Sequence, residues 1–139
     1  MSYELRDHTA DVAVEATAGT PSALFAAVAD GLTAASAESI PDAGERFDLS
    51  VAAESREALL FDYLDRLIYE RDVRLVLPTD HQCTVAEPTD DGDDWRLTAS
   101  ARGVPLDAVA AREVKAVTYS EMSLERRDGG WYAYVVFDV

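Results

Sequence analysis

The chain has 139 residues, 48% of them apolar, with 27 acidic against 12 basic side chains and a net charge of −15. That length suits one domain over 1–139 with a core that needs no disulfide or metal staple, and the apolar share excludes a disordered acidic tail. Carboxylates spread evenly, 14 in residues 1–70 and 13 in 71–139, coat the surface with a charge that repels phosphate backbones, so no direct nucleic-acid contact is expected.

The spacing predicts two short strands, 2–7 and 11–18, around the polar elbow His8-Thr9-Ala10. In the second, Val12, Val14 and Ala16 fall on one face and Asp11, Ala13 and Glu15 on the other. Gly19-Thr20-Pro21 then supplies a break, an N-cap hydroxyl and a proline suited to the first helical turn. The helix that follows is expected to run to about Ser39, with Leu24, Phe25, Val28 and Leu32 at helical spacing. A half-buried strand follows at 46–53, with Phe47, Leu49 and Val51 inward. Ser55 then caps a second helix whose stripe is Leu59, Leu60, Tyr63, Leu64, Leu67 and Ile68, with Asp62, Asp65, Arg66 and Glu70 off it. Strands are expected at 72–77, 81–87 and 95–103, then a loop or helical turn from Pro105 to Arg112. Two long strands, 114–126 and 131–138, join through Arg127-Asp128-Gly129-Gly130. The order predicts an α+β fold of two layers, a mostly antiparallel sheet with two main helices on one face.

Function is read mostly by exclusion. No phosphate-binding glycine loop, no Gly-x-Ser-x-Gly elbow and only two histidines, His8 and His81, are present. Cys83 is the lone cysteine, expected as a small buried hydrophobe. The acidic turn 88–94 lacks the closing acid of a calcium loop, because Thr98 stands at its twelfth position. No apolar run approaches the roughly 20 residues of a membrane span, and the N-terminus lacks a signal-type apolar stretch, so a cytoplasmic protein is expected. The acid coat and the scarcity of lysine look like adaptation to a high-salt cytoplasm, where self-repulsion is screened.

Two features remain. Asp11, Asp138 and the carboxylate following Val139 would converge as hard oxygen donors if the terminal strand lay beside the first ones, a cluster that must hold a cation or raise a pKa. Lys115 is the single lysine beside eleven arginines, a compact ammonium kept where a planar guanidinium was acceptable almost everywhere else. Period-2 alternation would place Glu113, Lys115, Val117 and Tyr119 on one side of its strand.

His8-Thr9-Ala10-Asp11-Val12, Glu113-Val114-Lys115-Ala116-Val117-Thr118-Tyr119 and the terminal Gly-Gly-Trp-Tyr-Ala-Tyr-Val-Val-Phe-Asp-Val together resemble the archease family over the whole chain. Two positions depart from the family's pattern: Ala13 stands where glycine is common, and Ser120 where histidine often follows the tyrosine. The resemblance implies an accessory protein, not an enzyme in its own right. Archeases assist the RtcB-type tRNA-splicing ligase by promoting its guanylylation and multiple turnover, with GTP used by the ligase. It also implies a divalent metal, Ca2+ or alternatively Mg2+, at Asp11, Asp138 and Val139, and a functional lysine at Lys115 acting with Asp11. Two other classes stand beside it, a general chaperone or interaction module and a metal-dependent hydrolase.

Overall fold

The computed structural model describes residues 2–7, 11–90 and 92–139; the His8–Ala10 elbow and Asp91 lie outside them. The elements follow as β1 (Ser2–Asp7), β2 (Asp11–Ala18), α1 (Pro21–Ser36), β3 (Glu45–Ala53), α2 (Arg56–Arg74), β4 (Val76–Ala86), β5 (Trp95–Pro105), a 3-10 turn (Leu106–Ala108), β6 (Ala116–Arg127) and β7 (Gly130–Asp138). The fold is α+β with antiparallel pairing throughout, as the pattern predicts. The strands part into two sheets, β1-β2-β7-β6 and β3-β5-β4, and each helix packs against both: α1 on β1, β2, β7 and β4, and α2 on β3, β4, β5 and β6.

The reason lies in α1. Its Leu24, Phe25, Val28 and Leu32 are buried as expected, but so are Ala26, Ala27, Ala29, Gly31 and Ala35. A helix apolar nearly all round needs cover on more than one side, and small side chains let sheets approach. A Cβ on Gly31 would stand 2.4 Å from Val14 Cγ1 on β2, so even Gly31→Ala would force a shift. Thr20 caps the helix by accepting from Ala23 N at 3.1 Å, with Pro21 in the first turn. It stops at Ser36, three residues early, because Ala37 is extended and Arg112 takes the end carbonyls. The Arg112 Nε donates to Ala35 O and its backbone N–H to Ser36 O, both at 2.8 Å.

The α2 stripe is buried as the spacing predicts, with Leu59, Leu60, Tyr63 and Leu64 at 0% exposure. Each such aliphatic contributes about 1.5–3 kcal/mol by leaving water. Glu70, expected on the open face, is buried because Arg66 and Arg74 engage both its oxygens at 3.4 and 2.9 Å. The strand expected at 72–77 is displaced: residues 72–74 finish α2, and β4 runs unbroken through what pattern divides in two. Its register shifts between Thr79 and Gln82, where Asp80 takes φ 50°. A polar bulge inside one strand reads in sequence as a loop between two.

Arg127 pairs with Gly130 across Asp128 (φ 47°) and Gly129 (φ 77°), a two-residue turn in the left-handed region that Asp-Gly favours. The β6 strand begins at Ala116, two residues later than expected, and loses register with β7 between Thr118 and Ser123.

Candidate functional site

In β2–β7 pairing Asp11 stands directly opposite Asp138, and in β6–β7 pairing Asp138 stands opposite Ala116. The neighbouring row, Val12, Phe137 and Val117, points into the core at 2, 0 and 6% exposure. Alternation therefore turns both aspartates to the face away from the helices. Directly opposed like charges repel, and this pair lies at the end of the sheet with Val139 one residue beyond.

Lys115 meets this pair through its backbone. It precedes β6 by one residue, and its N–H donates to Asp138 O at 2.8 Å. The preceding carbonyl, Val114 O, accepts from Arg71 Nη1 of α2 at 2.5 Å, and Val114 itself is fully buried. With Arg112 tied twice to the end of α1, the segment 112–115 is held on two helices and β7 while the Lys115 side chain is exposed. The expected shared face of Glu113, Lys115, Val117 and Tyr119 does not form. Val117 is buried while the other three are exposed, because Glu113 and Lys115 lie before the strand begins and period two does not reach them.

Among the described residues no three His, Cys, Asp or Glu side chains converge as a metal site. A third donor at the Asp11–Asp138 pair would be a main-chain oxygen of Val139. All of these donors are hard oxygens, a set that fits Ca2+ or Mg2+ and no soft ion. The buried Oγ1 of Thr118, two residues along the same face of β6 from Ala116, has no hydrogen-bond partner among the described residues. Sequence reasoning passed over Thr118, and over Arg71 and Arg112 as anchors. Arg71 left one signal, since it continues the α2 stripe four residues beyond Leu67.

The residues set aside on sequence are poor reactive groups here. Cys83 is half-buried, gives its Sγ–H to Ser22 O at 3.2 Å, and burial pushes its thiol up to about 12, so it is protonated at neutral pH. His81 is buried, with Nε2 2.8 Å from Thr33 Oγ1. The Thr33 hydroxyl faces two carbonyl oxygens, Pro78 O at 2.8 Å and Ala29 O at 3.2 Å, and its single proton must be directed to them. The proton between ring and hydroxyl therefore belongs to Nε2, which leaves Nδ1 bare. Burial lowers the His81 pKa to about 4, so the ring is neutral. No described helix is long and apolar enough to cross a membrane.

The archease protein family (MTH1598/TM1083) matches residues 3–139. This chain belongs to the archease family. It is 34% identical to the protein archease of Thermococcus gammatolerans, over 99% of this chain and 98% of the relative. The solution structure of Methanobacterium thermoautotrophicum protein 1598 superposes with a TM-score of 0.84 at 28% identity, covering 99% of this chain and 98% of that one. A Thermotoga maritima structure described as an archease and possible chaperone shares the fold, with a TM-score of 0.64 at 22% identity, covering 98% and 96%. Both departures from the archease pattern have a place in the structure. Ala13 is fully buried in β2, between Arg6 and Val136 in register and outside the left-handed region that would call for glycine. Ser120 is exposed in the stretch where β6 leaves β7.

Proposed function

We propose that this chain activates the RtcB-type tRNA-splicing ligase, promoting ligase guanylylation and multiple turnover in tRNA splicing and RNA repair, with Lys115 and Asp11 as the activating groups. One observation supports this most: the sheet sets Asp11 opposite Asp138 and ties the backbone of Lys115 to the same residue, joining three parts of the chain far apart in sequence. Asp11, Asp138 and the carboxylate following Val139 would hold a divalent cation, Ca2+ or Mg2+, whose charge offsets the repulsion between them. Lys115, presented from an anchored segment, would place an ammonium beside that cluster, suited to a phosphate or to an acid of the ligase. GTP would be bound by the ligase, since this chain has no nucleotide-cradling loop.

The test is to incubate purified ligase with GTP, with and without this protein, and follow covalent guanylate on the ligase. Stimulation that Asp11→Ala or Lys115→Arg removes supports the reading; no stimulation by the wild-type protein overturns it. A general chaperone would instead protect an unrelated aggregating client, with Lys115→Arg as effective as wild type. A hydrolase would turn over substrate alone with divalent metal.

A further inference from the structure

Arginine over an aromatic ring recurs on this molecule. Arg56 lies over both tryptophans, 4.7 Å from the Trp131 ring centre and 5.7 Å from that of Trp95. Arg74 covers Phe47 at 4.5 Å and Arg127 covers Tyr132 at 3.7 Å. Four of the eleven arginines, Arg56, Arg74, Arg126 and Arg127, thus lie over aromatic rings.

The stacked pair Tyr119 and Phe61 lacks such a cap. Where β6 parts from β7, Tyr119 swings onto α2 and stacks flat on Phe61, with ring centres 4.0 Å apart and planes 4° from parallel. Tyr119 is 57% exposed, so the stack presents an open face. Among the described residues no guanidinium lies over it. Asp62 and Glu54, both exposed, stand close enough to raise the Tyr119 hydroxyl pKa, after the larger effect of partial burial. Asp62 is in turn raised, by desolvation first and then by the charge of Asp65. An open π face beside carboxylates attracts a planar cation and repels a phosphate-bearing one.

We infer that the Tyr119–Phe61 stack, with Asp62 and Glu54 at its rim, is a docking surface for an arginine side chain displayed by a partner protein. Arginine fits both halves of the site: its plane stacks on Tyr119 while its edge donates to the carboxylates. A nucleobase would share the stacking but would carry phosphate toward two acids. A second copy of this chain is opposed by the net charge of −15. The surface lies three residues along β6 from the Ala116–Asp138 pair and does not depend on a metal being bound there.

The experiment is a titration with a capped Gly-Arg-Gly peptide, followed through the ring-proton NMR signals of Tyr119 and Phe61. Lysine and citrulline peptides serve as controls, one keeping the charge without the plane and the other the plane without the charge. The arginine peptide should move both rings saturably and bind at least about tenfold more tightly than either control. Tyr119→Leu should abolish the response, and Asp62→Asn, an exposed change that leaves the stack in place, should weaken it several-fold. Equal responses to the three peptides, or a response that survives Tyr119→Leu, would overturn the inference. So would concentration-dependent self-association abolished by Tyr119→Leu, which would seat the arginine of a second copy there instead.

Discussion

Two strands of this molecule break register, and the breaks are used in opposite ways. In β4, between Thr79 and Gln82, Asp80 sits at φ 50° and its surroundings are stitched down. Arg46 Nη2 donates to Asp80 O and Arg102 Nε to the Asp80 carboxylate, both at 2.7 Å, while His81 is buried against Thr33 of α1. Arg102 reaches on to Pro41 O at 3.0 Å and to Ala43 O. In β6, between Thr118 and Ser123, Glu121 sits at φ 59° but is exposed, and no side-chain hydrogen bond or ion pair reaches it among the described residues. The backbone device is the same. Whether arginines reach it decides whether it ties sheet, loop and helix together or displays side chains to a partner.

The comparison breaks most readily at Arg102. Arg102→Met strands the Asp80 carboxylate and two carbonyls that now share a half-buried guanidinium, so it should cost about 2–3 kcal/mol of stability. Urea unfolding reads this directly, and a change within error of zero would mean the β4 break is not held by its arginines.

Acid tests the same corner. Burial holds the folded His81 pKa at about 4 against 6.5 in the unfolded chain. The unfolded state therefore binds more protons between those values, and stability falls as pH drops from about 6.5 toward 4. Linkage puts the loss on the order of 2–3 kcal/mol. Asp30, raised by desolvation, works in the opposite sense over its own range, so the readout is the difference between wild type and His81→Gln. An unchanged pH profile in the variant would remove His81 as the acid-sensitive group.

Lys115→Arg sharpens the contrast from the other side. It should reduce stimulation of ligase guanylylation at least tenfold, about 1.4 kcal/mol, while changing stability by under about 0.5 kcal/mol, as expected of an exposed side chain. Wild-type stimulation by this variant would make the lone lysine an accident of composition.

The smallest effect comes from matched glycines. Glu121→Gly and Asp80→Gly relieve the same left-handed backbone. The first should stabilise by about 0.5 kcal/mol because nothing else is lost. The second should destabilise by about 1 kcal/mol because its carboxylate leaves Arg102 without an ion-pair partner. Equal shifts in the two midpoints of denaturation would erase the distinction between the breaks.

Sequence by itself determined the elements whose cause is local. Thr20-Pro21 and Ser55 start both helices through their own caps, the α2 stripe follows from 3.6-residue spacing, and Asp128-Gly129 makes a turn that only a left-handed pair can make. It also singled out Asp11, Asp138 and Lys115 as the chemically distinctive residues. Tertiary structure decided what depends on partners distant in the chain. The strands part into two sheets because α1 is apolar on more than one side. The run 72–77 divides between the end of α2 and the start of β4, and 81–87 continues that one bulged strand, since the bulge is stabilised by Arg46 and Arg102 on other strands. Asp11 faces Asp138 through inter-strand register, which hydrogen bonds between segments more than a hundred residues apart set. Lys115 owes its position to Val114, Arg71 and Asp138 and not to strand alternation, because a buried anchor and two backbone ties outweigh the period-2 preference of a segment outside the sheet.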